Sequence, residues 1–364
     1  MIVSKIGGSS LGDKKCFLKV KEVIKSDEKR RAIVVSAPGK RFSDDEKITD
    51  LFLACYKKSV RGEGFGKEFL KIENRFSEIS EGLPCFEKVR EELLLIKSAL
   101  YKNTYEDFII SRGEYLSGII AACLLNFTFI DPTLFLFFDE RGKIREEKSK
   151  DALQQLYKKY PHMVIPGFYG LDFDGRIKTF PRGGSDITGS LVSAFLNAEK
   201  YENMTDVSGL FLAPPKIYPN IEKIKLVSLE NLKILSSFSN GVFNEGAVDI
   251  LIKYNVPLEI KSTFSDERGT FSLRCAEGAD TISGMGIKVA LNKTMLILIA
   301  GEKIKDGLFI SFLLNSVCSE STEILSAECS KYGQGLILNV PFKDFKRTFG
   351  ILYKIAEKFK EADL

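Results

Sequence analysis

One histidine, His162, stands in a chain of 364 residues, and no two of its seven cysteines form a CxxC pair. So sparse a set excludes a Cys/His zinc site and makes a Ser-His-Asp or Cys-His catalytic device untenable. Most of the cysteines sit among apolar neighbours, as Cys123 does in Ile119-Ile120-Ala121-Ala122-Cys123-Leu124. They read as buried free thiols in a reducing compartment. Charge of one sign is also lacking: 53 basic residues face 49 acidic ones, and the excess of +4 is spread along the chain. That excludes a nucleic-acid or membrane-surface partner on electrostatic grounds. Lys14-Lys15 and Arg30-Arg31 are read as solvated helix faces. Met1-Ile2-Val3-Ser4-Lys5 carries no long apolar stretch of the signal-peptide kind. The greasiest region, Tyr115 to Phe138, is broken by Asn126, Asp131 and Pro132, so no bilayer crossing is expected. A soluble, cytoplasmic protein is the expectation, with no low-complexity linker and no simple repeat.

What is present is the composition of an ordinary globular protein, 44% hydrophobic and 28% charged, at a length that suits two domains. Ala32 to Ser36 and Met163 to Ile165 read as buried strands. Between them Lys47 to Tyr56, Phe65 to Ile79 and Glu87 to Tyr101 carry apolar residues at helical spacing. Strands alternating with helices predict an α/β fold, a mostly parallel sheet covered on both faces. Ligands of such sheets lie beyond the carboxyl ends of the strands, so chemistry is sought in those loops. A charged turn at Asp266-Glu267-Arg268-Gly269 marks a boundary, giving domains 1–270 and 271–364. The second reads strand (Thr294 to Ala300), helix (Gly307 to Val317), two strands (Glu323 to Glu328, Gly335 to Val340) and helix (Phe342 to about Phe359). That order begins a ferredoxin-like α+β unit.

Four loops could carry chemistry. Lys5-Ile6-Gly7-Gly8-Ser9-Ser10 follows a strand; its glycines let backbone N–H groups approach an anion and its lysine adds a mobile charge. Read alone, it is also an ordinary turn. Phe180-Pro181-Arg182-Gly183-Gly184-Ser185-Asp186-Ile187-Thr188-Gly189-Ser190 runs into a helix. Ser185 or Asp186 would cap it, while Arg182 offers a planar fork for a carboxylate or phosphate. Ser111-Arg112-Gly113-Glu114 places a glutamate at the start of the apolar helix Tyr115 to Leu125, where helix-dipole compensation alone would also account for it. Thr205-Asp206-Val207-Ser208-Gly209 is a polar turn after a strand. Gly62 to Lys67 fits neither phosphate-loop pattern and reads as a loop before a helix. The missing histidine base is no obstacle if the nucleophile is a carboxylate, already ionised at neutral pH with a pKa near ~4. Phosphoryl transfer to it needs positioning and charge neutralisation.

Together these loops resemble the aspartate kinase branch of the amino-acid kinase family. Lys5-Ile6-Gly7-Gly8-Ser9-Ser10 is similar to the family's Lys-Phe-Gly-Gly-(Thr/Ser)-Ser, Val35-Ser36-Ala37 to its Val-Ser-Ala, and Thr49-Asp50-Leu51 to its Thr-(Asn/Asp)-Leu. Gly113-Glu114, the run Arg182 to Thr188 and Thr205 to Gly209 follow in the family's order. The resemblance covers Met1 to about Thr270 and implies a three-layer αβα fold that phosphorylates the side-chain carboxylate of L-aspartate with ATP. It implies that Lys5 neutralises the transferring phosphoryl group and that Asp186 faces the reacting centre or the substrate ammonium. Ser36, Thr49, Glu114, Arg182, Gly183 and Ser185 would line the aspartate site, with Arg182 on the α-carboxylate. Gly7, Gly8, Ser9, Thr205, Asp206, Phe211 and Lys216 would meet the nucleotide, and Mg²⁺ would ride on ATP oxygens and water without a protein ligand. Departures fall on the nucleotide side. Pro214-Pro215-Lys216 replaces Asp-Pro-Arg, and Ser239 to Asn244 replaces Gly-Ala-(Lys/Ser)-Val-Leu-His, leaving Gly241 where many members have a lysine. A kinase for another amino-acid carboxylate, or a non-catalytic subunit that binds an amino acid or a partner kinase, stays open beside the main reading.

The C-terminal block resembles an ACT regulatory domain, most clearly at Leu296 to Lys303. The family usually carries two such units and about ninety residues suffice for one. The resemblance therefore implies association into a homodimer or larger homo-oligomer through this unit, and weak or absent feedback control by lysine or threonine.

Overall fold

A computed structural model describes the chain except residues 103, 182, 214, 216–220, 222, 239–242, 275–282, 291–293 and 360–364, and except the side chain of residue 289. The chain forms two compact units, Met1–Val207 with Lys261–Glu267, and Ser208–Ile260 with Arg268–Leu364. Glu267–Arg268 thus divides the units where the charged turn stands, but residues 208–260 belong to the second unit.

The first unit is built from β1 (Ile2–Ile6), α1 (Lys14–Lys25), β2 (Arg30–Val35), α2 (Ile48–Val60), α3 (Gly66–Ser80), α4 (Phe86–Tyr101), α5 (Glu106–Ile110), α6 (Arg112–Leu125), β3 (Thr128–Phe129), α7 (Glu146–Lys159), β4 (Met163–Pro166), β5 (Tyr169–Leu171), β6 (Ile177–Thr179), α8 (Gly184–Phe195) and β7 (Lys200–Thr205). β3, β4, β2, β1 and β7 lie side by side in that order, every pair parallel, while β5 and β6 form a separate hairpin. β1 is central and buried along its whole length. Side chains alternate across a strand. Ile6 joins Ile33 and Val35 in the apolar cluster with Phe17, Val20 and Ile119 of α1 and α6. Its neighbour Lys5 therefore points to the opposite face, where α8 packs on β1, β2 and β7.

Local signals set the element ends. Asp13 caps α1 by accepting from the Cys16 N–H at 2.9 Å, and Phe17, Val20 and Ile24 form its buried stripe. Asn126 ends α6 in the left-handed region at φ 54°, a conformation asparagine tolerates. Glu106–Leu125 is long and apolar enough to cross a membrane, but its apolar window is 72% buried in this fold. It serves as core.

Arg30 corrects the expectation of a solvated helix face. It opens β2 at 7% exposure, and its Nε lies 2.7 Å from Oε2 of Glu202 on β7. Ser4 donates to the same oxygen at 2.9 Å. The charge stands at the start of a strand and not on a helix surface, and the buried acid that neutralises it lies 172 residues away.

The second unit comprises β8 (Leu226–Ser228), α9 (Leu229–Phe238), α10 (Glu245–Tyr254), the first three residues of β9 (Leu258–Ser262), β10 (Thr270–Leu273), β11 (Gly284–Val289), β12 (Thr294–Ala300), α11 (Gly307–Cys318), β13 (Ser326–Cys329), β14 (Gly335–Pro341) and α12 (Phe345–Lys358). β10 pairs parallel with β8 and antiparallel with β9. β11, β12, β14 and β13 make an antiparallel sheet in that order. It packs on α11 and α12 through Ile297, Ile299, Leu313, Leu338, Phe349 and Leu352. The expected strand–helix–strand–strand–helix order is present, with the third element shortened to Ser326–Cys329. The fourth strand of the ferredoxin-like sheet is β11, which precedes the other elements in the chain. Of the thiols expected to be buried, Cys55 and Cys85 are; Cys123 and Cys16 are only half-buried, and Cys318 and Cys329 are exposed. Cys275 lies outside the described residues.

Candidate functional site

In the first unit the singled-out loops gather at the carboxyl ends of β1, β2, β4 and β7. Lys5 is the penultimate residue of β1, in register with Val34 and Asn203. Its Nζ stands 2.7 Å from Asp186 Oδ1. Asp186 Oδ1 has no other hydrogen-bond partner among the described residues. Both side chains are nearly buried, at 11% and 13% exposure. Screening is weak at such a site, so a lysine held there keeps its charge directed at whatever anion displaces or joins the pair.

Around this pair the chain comes unusually close to itself. Gly7 N–H donates to the Met204 carbonyl at 2.8 Å and Gly39 N–H to the Gly8 carbonyl at 2.7 Å. A Cβ on Gly8 would lie 2.7 Å from the Ala37 oxygen, and one on Gly39 2.7 Å from the Gly8 carbonyl carbon. Any side chain at either position would force the two turns apart. Residues Gly8–Leu11 form a short 3-10 turn. Ser9 Oγ reaches Asp206 Oδ1 at 3.0 Å, and Thr205 Oγ1 reaches the same oxygen at 2.9 Å. Buried Ser10 shares a 2.8 Å hydrogen bond with Thr263.

Ser36 follows β2, its N–H donating to the Ile6 carbonyl at 3.2 Å. Thr49 lies in the first turn of α2, whose Ile48 N–H meets the Pro38 carbonyl at 3.4 Å. Glu114 stands in the first turn of α6 at 6% exposure. Gly113 makes this possible, since a Cβ there would be 2.7 Å from the Ala37 Cβ. Burial pushes the Glu114 carboxyl up to about 8, against the weaker pull of the Ala37 N–H and the Arg112 charge. Its Oε2 finds no hydrogen-bond partner among the described residues. Arg112 does not neutralise it by contact. Its guanidinium is stacked on the rings of Phe108, Tyr115 and Tyr169 at 4.6, 4.5 and 5.2 Å and donates to Ser111 Oγ at 2.9 Å. A buried acid with a free oxygen is prepared for a cation that arrives with a ligand.

α8 begins at Gly184, after Gly183 in the left-handed region at φ 80°. The Gly183 carbonyl accepts from the Asp186 N–H at 2.9 Å. Ser185 is 8% exposed and packs so tightly on Gly167 that a Cβ there would be 2.8 Å away. Thr188 Oγ1 accepts from the Phe168 N–H at 3.1 Å, tying the helix start to the end of β4. Arg182 and Lys216 lie outside the described residues, as do Pro214 and Gly241.

One set of expected residues thus converges within the first unit: Lys5, Gly7, Gly8, Ser9, Ser36, Thr49, Glu114, Gly183, Ser185, Asp186, Thr205 and Asp206. Phe211 falls in the second unit, where it bridges Lys223. Asn244, a departure from the family pattern, caps α10 by accepting from the Ala247 N–H at 3.1 Å. Sequence reasoning missed Gly39, Asp45 and Arg75. The last was detectable as a charged residue on the apolar stripe of α3, between Ile72 and Ile79.

Chemically, the cleft offers a lysine and turn amides for a phosphate, and buried carboxylates and hydroxyls for a polar, charged small molecule. Among the described residues no three His, Cys, Asp or Glu side chains gather as a metal cage.

The model of the amino acid kinase family matches residues 1–262. Aspartokinase 3 of Bacillus subtilis is 30% identical over 280 residues, 72% of this chain and 61% of that protein. A bifunctional aspartokinase/homoserine dehydrogenase of Buchnera aphidicola is 25% identical over 360 residues, 89% of this chain and 43% of that one. The chain spans between about two-fifths and three-fifths of the length of these relatives. Among solved structures, the aspartate kinase of Clostridium acetobutylicum superposes with a TM-score of 0.88 at 28% identity, covering 97% of this chain and 99% of the other. Aspartokinase III of E. coli, in complex with aspartate and ADP, shares the fold at a TM-score of 0.81 and 16% identity, covering 97% and 99%.

Proposed function

The chain belongs to the amino acid kinase family, and from that premise we propose that it is an aspartate kinase, transferring the γ-phosphoryl group of ATP to the side-chain carboxylate of L-aspartate. The observation that carries the reading is the Lys5–Asp186 pair at the strand ends, set between the Gly7-Gly8 turn and the start of α8. The names of the relatives and the aspartate and ADP held by the E. coli enzyme support the choice of substrates.

In this mechanism a carboxylate oxygen of aspartate attacks the γ-phosphorus, the bond to the bridging oxygen breaks, and ADP departs. No proton has to be removed from the nucleophile at neutral pH. Lys5 neutralises charge on the transferring group and the Gly8 amide faces its oxygens, the Gly7 N–H being committed to the Met204 carbonyl, so the gain is electrostatic and positional. Asp186 holds Lys5 in place before substrate arrives and faces the reacting centre afterwards. Glu114, kept neutral by burial, ionises to receive the substrate ammonium. Arg182 takes the α-carboxylate, with Ser36, Thr49 and Ser185 supplying hydroxyl donors. Thr205 and Asp206 meet the nucleotide. Mg²⁺ carried by the phosphate oxygens and water would supply further charge neutralisation. Self-association through the ferredoxin-like sheet belongs to the same reading. It is supported by β13, an edge strand whose four residues are all exposed.

Hydroxylamine trapping of the acyl phosphate tests the proposal. With ATP, Mg²⁺ and L-aspartate the wild-type protein should yield aspartyl hydroxamate and Lys5→Ala should not. Product from L-glutamate instead would move the assignment to another amino-acid carboxylate. None from either, in folded protein at high ATP, would refute a kinase.

A further inference from the structure

The turn after β1 and the loop after β2 are both held by one side chain that the mechanism above does not use. Arg75, on α3, is 4% exposed. Its Nη1 donates to the Gly39 carbonyl at 3.1 Å and to the Gly12 carbonyl at 3.3 Å, while Nη2 donates to Asp45 Oδ2 at 2.6 Å. Asp45 is locked in turn. Its Oδ2 accepts from the Arg41 backbone N–H at 2.9 Å and from Arg41 Nε at 3.0 Å. Burial would raise the Asp45 carboxyl, yet hydrogen bonds from Arg41 and the two guanidinium charges hold it well below the usual carboxylate range.

Gly12 closes the segment that carries Gly7 and Gly8. Gly39 lies in the segment that runs from Ser36 toward Thr49. These segments touch at the 2.7 Å Gly39–Gly8 hydrogen bond, with no room for a Cβ on either side. A single planar guanidinium with fixed donor directions therefore fixes the spacing of both from behind. Stability alone is a poor reason for it. The position lies on an apolar helix stripe, and a buried ion pair is seldom worth more than apolar residues of the same volume.

We propose that Arg75, with Asp45, is a positioning clasp that sets the Gly7-Gly8 turn, with its phosphate-facing Gly8 amide, against the Ser36–Gly39 loop. The inference rests on the kinase reading for its kinetic consequences and on geometry alone for its structural ones. Arg75→Lys keeps the charge but cannot span three acceptors. Arg75→Met with Asp45→Leu removes the buried pair and restores apolar packing. Both are compared with wild type by thermal melting, by hydrogen exchange of peptides covering residues 7–12 and 36–41, and by hydroxamate kinetics.

The double variant is expected to melt close to wild type. In both variants exchange should rise about tenfold or more in those two peptides only, kcat should fall roughly 10- to 100-fold, and the ATP KM should rise several-fold. Should the double variant fail to fold, Arg75→Lys decides by the same readouts. Unchanged local exchange would overturn the clasp whatever the enzyme does. So would a well-folded double variant with wild-type kcat, or a fall in kcat with both KM values fixed, which a simple loss of active protein would give. A wild-type protein that forms no hydroxamate would refute the kinase reading alone, the exchange result still deciding the clasp.

Discussion

Replacing Glu114 by glutamine is expected to stabilise the ligand-free protein at alkaline pH and to change it little at acid pH. The carboxyl is 6% exposed and leaves one oxygen unpartnered. Burial carries it from 4.5 to about 8. At about 1.4 kcal/mol for each tenfold in proton affinity, that amounts to on the order of 5 kcal/mol. The sign follows from proton binding. Between pH 4.5 and about 8 the folded protein holds a proton that the unfolded chain has released, so stability falls as pH rises through that window and levels off above it. An amide does not titrate, so Glu114→Gln escapes the loss. Comparing variant with wild type at pH 5 and pH 8.5 cancels every other titration the two share. The difference in melting temperature should be near zero at the lower pH and roughly 10 °C in the variant's favour at the higher. A difference equal at both values, or one favouring wild type at pH 8.5, would refute the argument that Glu114 is held neutral by burial. The same linkage acts on substrate. If the ammonium of aspartate settles on Glu114, binding expels a proton below about pH 8, and calorimetric binding heats should depend on the buffer's ionisation enthalpy.

Two further outcomes follow from buried groups away from the cleft. Glu202→Gln strands the buried Arg30 and should cost roughly 3–5 kcal/mol near neutral pH, measured by denaturant unfolding. Burial would raise the Glu202 carboxyl, but Arg30 and Lys200 hold it below its usual 4.5. Its contribution is therefore present above 4.5 and lost as pH falls through the lower folded value, so the gap between variant and wild type should narrow steadily as the pH is taken below 4.5. Burial also pushes the thiols of Cys55 and Cys85 up to about 12, while Cys318 and Cys329 are exposed. Iodoacetamide should label the latter pair in folded protein and the former only on unfolding; equal rates at Cys55 and Cys329 would contradict the burial.

The residues that could be read in advance were those whose chemistry is local. Gly7, Gly8 and Gly183 announce turns, Asp186 and Glu114 announce helix starts, and the strands at Ala32 and Met163 carry β-branched runs. Helices α2, α3 and α4 came within a residue or a few of their expected ends because their apolar spacing is regular. What stayed hidden depends on partners distant in sequence. Nothing near Arg30 signals Glu202, and nothing near Asp45 signals Arg75. β11 was not anticipated because its sequence, Gly284 to Val289, contains two glycines and becomes a strand by pairing with β12. The membership of residues 208–260 in the second unit was equally invisible, since it is set by packing of α9 against β11 and β12.

That packing has a consequence for how the polypeptide may be divided. Because the second unit is assembled from two stretches with a short piece of the first between them, the peptide bond passes from one to the other three times. No single cut yields either unit whole. A gene ended at codon 270 would keep α9 while removing the strands against which Leu235 and Phe238 lie, where Gly284 and Gly286 leave room for them. The product would present a greasy, uncovered helix to the ribosome's surroundings. Exchange of the C-terminal portion between related chains therefore demands that α9 be exchanged with it.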